Sequence, residues 1–180
     1  MMDENKHSYA GDSMRRVEDE EMITGAGCYT DDLQFPEMTH LHFLRSPYPH
    51  AKIKKMDLSA AMESEGVLAI YTAYDLIRDG VNPYPIPGPP GDFVTQEILD
   101  QGYRNGNGEP MDPPRWLALA KDEVRYVGQP VVAILAESAE NALTASELVE
   151  VDYEELASVG TIQDAEKESA PAIWEGAPGN

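Results

Sequence analysis

Residues 128–153 read GQPVVAILAESAENALTASELVEVDY, and this stretch decides the fold. Val131 to Ala136 is an unbroken apolar run. A short run of that kind predicts a strand covered on both faces, as in parallel sheets. Ser138 can accept a hydrogen bond from the first free backbone amides of a helix, so a helix is predicted over 139–148. Ala139, Ala142, Leu143 and Val149 fall on one side of that helix and are expected to face the sheet. Val149, Val151 and Tyr153 then alternate with Glu150 and Asp152, the period of a half-buried strand. Together these form one strand–helix–strand unit.

A second unit lies upstream, at 51–72. Ala51 to Met56 predicts a strand. Asp57 or Ser59 can cap a short helix over 58–63, Gly66 stops it, and Val67 to Thr72 returns as a strand. Each crossover is expected to be right-handed if its two strands are parallel neighbours. Another strand is expected at 38–45, with apolar residues on both faces and therefore central, broken by Ser46-Pro47-Tyr48-Pro49. A short helix is expected around 73–78 and a short strand at 124–127. The fold class is α/β (α+β): a mixed sheet built from two strand–helix–strand units.

Between the units the composition changes. Residues 79–116 hold eight of the 14 prolines and six of the 14 glycines. Proline removes backbone donors that a sheet needs, so this segment is expected to be a long insertion loop. Residues 1–14 are polar and patternless and are expected to be disordered. Residues 15–35 read as an extended, turn-rich arm, and 157–180 as an extended acidic tail. A single domain is expected over 15–156.

The net charge is −20, from 33 acidic and 13 basic residues. Nucleic acids and anionic membranes need cationic contacts, so neither is an expected partner. The charge is uneven: after Gln129 there are 11 acidic residues and one base, Lys167. This is a solvated acidic face, a docking surface for a basic partner, or an adaptation to high salt. A single cysteine, Cys28, excludes an internal disulfide, and neither a secretion signal nor a bilayer-length apolar run is present, so a cytoplasmic location is expected.

Tests for chemistry return little. Gly25-Ala26-Gly27 has two glycines of a phosphate cradle, with no strand or helix expected around it, and reads as a turn. His40 and His42 share a strand face and His50 follows the next turn, a possible metal set without a recognisable ligand spacing. Cys28 sits in a glycine turn with His40 a possible spatial neighbour, and reads as a passive thiol. Asp31 and Asp32 are expected to pin a turn by accepting from backbone amides. No catalytic, cofactor-binding or metal residues are assigned. What stands out is a set of demanding turns: Thr24-Gly25-Ala26-Gly27, Arg45-Ser46-Pro47 and Gly128-Gln129-Pro130.

The order of those turns carries a resemblance. Arg16-Val17-Glu18-Asp19 leads into Thr24-Gly25-Ala26-Gly27-Cys28-Tyr29-Thr30-Asp31-Asp32. Arg45-Ser46-Pro47-Tyr48-Pro49-His50-Ala51-Lys52-Ile53 follows, then Val124-Arg125-Tyr126-Val127-Gly128-Gln129-Pro130-Val131, then Glu147 through Leu156. From about Arg15 to Asn180 the chain resembles the N-terminal a/b hammerhead domain of the molybdenum hydroxylase large subunit, the xanthine dehydrogenase, aldehyde oxidase and carbon monoxide dehydrogenase family. Cys28 departs from it, standing where the family usually has a basic residue.

The resemblance implies hydroxylation of an aldehyde, purine-like or other electron-poor C–H carbon at a molybdenum centre, with oxygen from water. Molybdopterin would sit in later domains that carry the glycine-rich loops and the catalytic glutamate. Iron–sulfur clusters and FAD would sit on partner domains. This chain is then expected to be a non-catalytic scaffold domain or split subunit whose partners are a molybdopterin-binding domain or subunit and an iron–sulfur subunit. Gly128, Gln129 and Pro130 are the expected side facing the cofactor domains, with Arg16, Arg45 and His50 holding the arm and the strand turn against a neighbour. A free-standing protein-interaction module of the same fold is the alternative, and a small metalloenzyme using His40, His42 and His50 a third reading.

Overall fold

The structure is a computed structural model that describes residues 16–84 and 116–174. The expected disordered N-terminus, 1–14, and most of the proline-rich insertion lie outside the described residues. The chain forms two units, Met1–Met38 and Thr39–Asn180.

In the first unit the arm is not wholly extended. Helix α1 spans Asp19–Thr24, and three acidic residues in its first turn suit the positive end of the helix dipole. The acidic start was visible in the sequence, but so short a helix leaves no periodicity to read. Gly25, at φ 73°, closes the helix in the left-handed region, with the Ala26 and Gly27 amides donating to Glu21 O at 2.9 Å. A 3₁₀ turn follows at Thr30–Asp32, where the Asp32 carboxylate accepts from Tyr29 N–H at 2.8 Å. Asp32 therefore pins a turn as expected.

Among the described residues, the second unit contains two three-stranded sheets rather than one mixed sheet. Its strands are β1 (His40–Arg45), β2 (Ala51–Asp57), β3 (Val67–Tyr71), β4 (Glu123–Val124), β5 (Pro130–Ala136) and β6 (Glu150–Glu155). The first sheet has the order β1-β5-β3 and the second β4-β2-β6. All four pairings are antiparallel. Each joins a strand from before the insertion to one from after it.

Both strand–helix–strand units are present, but each divides its strands between the sheets. β2 leads through α2 (Ser59–Met62) to β3 in the other sheet, and β5 leads through α4 (Ala139–Glu147) to β6. The parallel neighbours suggested by the apolar run at 131–136 do not occur among the described residues. That run reports only that β5 is covered on both faces, which a central antiparallel strand also achieves. β5, not β1, is central; β1 lies at the sheet edge with Leu41 exposed.

One apolar cluster joins the two sheets and α4. Ala51 and Val124 of the second sheet meet Val132, Ile134 and Ala136 of β5 and Ala142 and Ala145 of α4, with Leu44, Ile53, Ile70 and Tyr153 packed around them. Ala133 belongs to a smaller cluster with Leu119 and with Ala73 of α3 (Ala73–Arg78), so β5 is indeed covered on both faces. Ser138 caps α4 by accepting from Asn141 N–H at 3.1 Å. The face of α4 that is buried is Ala142, Ala145 and Ser146, and Leu143 is exposed. Small side chains let the helix lie close, and that selects the alanine stripe over the leucine.

The segment after β6 is not simply extended. Thr161 caps a last helical turn, α5 (Ile162–Ala165), through its hydroxyl and Asp164 N–H at 3.1 Å. The ends of the insertion meet, with Tyr84 N–H donating to Trp116 O at 2.8 Å. No helix among the described residues is long and apolar enough to cross a membrane.

Candidate functional site

The turn at 128–130 is clasped from beneath by the end of β1. Gly128 sits at φ 88°, a conformation glycine adopts without the steric cost of a Cβ. Its N–H donates to Ser46 O at 2.8 Å, and Ser46 N–H donates to Gln129 O at 2.9 Å. Arg45 reaches across the two strands, and its Nη1 donates to Gly128 O at 2.9 Å. Gln129 Oε1 accepts from Arg125 N–H at 2.7 Å, and Pro130 O accepts from Ala120 N–H at 2.8 Å. Pro47 and Pro130 stand where no amide donor is needed. Ser46, which is buried, fixes the corner by accepting from Tyr48 N–H at 3.0 Å and donating to Tyr48 O at 2.9 Å.

Of the residues singled out from sequence, Gly128, Gln129, Pro130 and Arg45 therefore come together. Arg16 belongs to the N-terminal unit, where its N–H donates to Asp19 Oδ2 at 3.2 Å. His50 takes a different role from the one expected. It is buried, 4% exposed, and both ring nitrogens are engaged within the chain. Nδ1 lies 2.6 Å from Ala157 O, and Nε2 lies 2.5 Å from Glu123 Oε1. His50 holds the chain's own following segment and does not face outward to a neighbour.

A carbonyl can only accept, so Nδ1 carries a hydrogen. An ionised carboxylate also only accepts, so the second bond requires a proton either on Nε2 or on Glu123.

Glu123 continues the chain of contacts. Its Oε2 lies 3.4 Å from Arg125 Nη2. Arg125 Nε donates to Ile173 O at 2.9 Å, and its guanidinium stacks 4.0 Å from the ring centre of Trp174. Trp174 and Tyr126 lie 6.0 and 6.1 Å from Trp116, centroid to centroid. These side chains, with Leu119, Lys121 and Gln129, line a depression of about 320 Å³. Trp116, Tyr126, Val127 and Tyr84 are exposed on this side.

Sequence reading passed over this cluster. Trp116, Tyr126 and Trp174 are too far apart in sequence for spacing to join them. The one signal was that both tryptophans flank segments of otherwise loop-like composition.

The other residues singled out from sequence lie apart from this cluster. Cys28 is exposed, with its Sγ 3.7 Å from the neighbouring Tyr29 O. His40 and His42 lie across from Ala136 and Ile134 in the β1–β5 ladder. Among the described residues no three His, Cys, Asp or Glu side chains converge as metal ligands would. The Tyr74 hydroxyl donates to Asp122, which lowers the pKa of that carboxyl and raises that of the phenol.

Comparison with known proteins places this geometry. The family model for the aldehyde oxidase and xanthine dehydrogenase a/b hammerhead domain matches residues 24–102 and 91–157. The nicotine 6-hydroxylase large subunit of Paenarthrobacter nicotinovorans is 34% identical over 161 residues, covering 85% of this chain and 17% of its own. The carbon monoxide dehydrogenase large chain of Afipia carboxidovorans is 33% identical over 165 residues, 92% of this chain and 17% of its own. Among solved structures, the aldehyde oxidoreductase of Desulfovibrio gigas superposes with a TM-score of 0.70 at 28% identity, covering 91% of this chain and 16% of that one. The chain thus spans about one sixth of the length of the relatives it matches. A clasped turn between two antiparallel sheets, matched across most of its length by these large subunits, shows that the chain belongs to the aldehyde oxidase and xanthine dehydrogenase family, as its a/b hammerhead domain.

Proposed function

We propose that this chain is a non-catalytic scaffold segment of a molybdenum hydroxylase-type oxidoreductase, and that it docks on the cofactor-bearing part through the surface around Gly128-Gln129-Pro130. The observation that carries this reading is the pairing of a rigidly clasped turn with exposed Trp116, Tyr126 and Val127 beside it. Aromatic anchors on a preorganised backbone are what protein interfaces use, because little freedom is lost on binding.

The complete enzyme would hold molybdopterin, with iron–sulfur clusters and FAD on partner domains. It would act on an aldehyde, a purine-like ring or another electron-poor C–H carbon. Around the turn, the groups that could meet a pterin phosphate are already engaged within the chain. The N-terminus of α4, the longest helix described, is closed by the Ser138 hydroxyl and followed by Glu140. Lys121 and Arg125 already face Asp122 and Glu123. No step of the reaction is therefore assigned to this chain.

The test is to titrate the 180-residue chain against a molybdopterin-loaded large-subunit remainder from the same source and measure affinity by calorimetry. Binding is expected, and the double change Tyr126→Ala, Val127→Ser is expected to weaken it at least about tenfold, the scale of losing interface anchors. Turnover of an aldehyde by the chain alone, or binding indifferent to the double change, would overturn the reading.

A further inference from the structure

Glu123 holds two other side chains, and each of those grips the backbone of one later segment. His50 Nδ1 donates to Ala157 O and Arg125 Nε donates to Ile173 O. One Glu123 oxygen faces His50 at 2.5 Å and the other faces Arg125 at 3.4 Å. The segment 157–173 is thus a loop pinned at both ends, with its own helical turn α5 and the Asp164–Lys167 pair inside it. The pins are not surface contacts: the His50, Glu123 and Arg125 side chains are 6%, 21% and 20% exposed. Partly buried charge pairs are screened less than exposed ones, and deleting one member leaves the others without a counter-charge.

Ordinary ion pairing does not account for the chemistry at these three positions. Only a carboxylate offers two acceptors to two different cationic donors. An imidazole, with a nitrogen on each side of the ring, can bridge a carbonyl and that carboxyl. Only a guanidinium can present Nη2 to Glu123, Nε to a backbone carbonyl and a flat face to Trp174 at once.

We infer that Glu123 is a positioning residue, a single carboxylate that latches both ends of segment 157–173 and, through Arg125 and Trp174, sets the aromatic surface beside the 128–130 turn. The latch belongs to this chain alone, so it stands whether or not that surface docks on a molybdenum subunit.

The protein supplies its own probe. Its two tryptophans, Trp116 and Trp174, both lie in the cluster, so intrinsic tryptophan emission reads it directly. Glu123→Gln and Arg125→Lys are each expected to shift the emission maximum to the red and to raise acrylamide quenching about twofold. Exchange at the Ala165, Glu166 and Ala170 amides is expected to quicken about tenfold, the scale of one lost charge-assisted hydrogen bond. The far-UV spectrum should not change.

The double variant is expected to be no worse than Glu123→Gln alone, because both changes open one latch. An unaltered Glu123→Gln emission, or effects that multiply in the double variant, would overturn the inference. If Glu123→Gln does not fold, Glu123→Asp decides, since it keeps the charge and shortens the reach. It must give the same red shift with an intact far-UV spectrum, and emission like that of the unchanged protein overturns the latch.

Discussion

At the scale of single residues, the geometry around Gly128 makes a direct prediction. Nothing lies within 4 Å of where its Cβ would be, so an alanine there meets no neighbour. The cost is the backbone conformation alone, φ 88°. Gly128→Ala is expected to lower unfolding stability by about 1–2 kcal/mol in urea melts, the penalty of a left-handed L-residue. A loss well above that would mean that the clasp by Arg45 and Ser46 also fails. A second residue-scale prediction concerns acid. Asp75 Oδ2 accepts from Thr72 N–H at 2.8 Å and Thr72 Oγ1 at 2.7 Å, and these bonds, followed by Arg78, hold its carboxyl below the usual range. A lowered carboxyl contributes stability that is present above its unfolded pKa, near 3.8, and is lost as pH falls through the folded value. Asp75→Asn should therefore cost about 1 kcal/mol at pH 7 and progressively less below pH 4, as an end-cap bond does. A cost independent of pH would assign the effect to packing.

At the scale of elements, α4 shows where sequence reading reached and where it stopped. Ser138 and the apolar run before it were enough to place the strand, the cap and the helix. The helix face was not, because Ala145 carries too little hydrophobic signal to compete with Leu143. Proximity decided it: Ala142 and Ala145 are fully buried, and Leu143 is about half exposed. Ala145→Leu is expected to destabilise by about 1–3 kcal/mol through overpacking, while Leu143→Ser should stay within about 0.5 kcal/mol. Thermal melts of the two variants would show the reverse order if the leucine faced the sheet. The division into two sheets was hidden for a similar reason. Alternation and apolar runs report how many faces of a strand are covered, not which strand lies beside it. The turn at 128–130 was legible because glycine and proline are constrained by the backbone itself. The His50–Glu123–Arg125 chain was not, because it joins residues 50, 123, 125, 157 and 173, and only folding brings them together.

At the scale of the whole molecule, the charge of −20 and the exposed aromatic side chains belong to one chain of 180 residues. Charge keeps such a chain apart from its copies, while the surface proposed for docking beside the 128–130 turn is rich in aromatic rings. The strand pairing has a consequence of another kind. Among the described residues, β1, β2 and β3 pair only with strands from beyond the insertion, and β4, β5 and β6 only with strands from before it. Neither half can finish a sheet by itself. Joining the two halves in one chain raises their local concentration. Residues 1–84 and 116–180, expressed as two separate polypeptides, should therefore find each other and give the circular dichroism of the single chain, whereas either alone should stay unfolded. A first piece that folds unaided would show that the halves are stacked rather than interlocked. If they interlock, the backbone between Tyr84 and Trp116 can be opened, lengthened or exchanged for another protein's sequence without dismantling the scaffold.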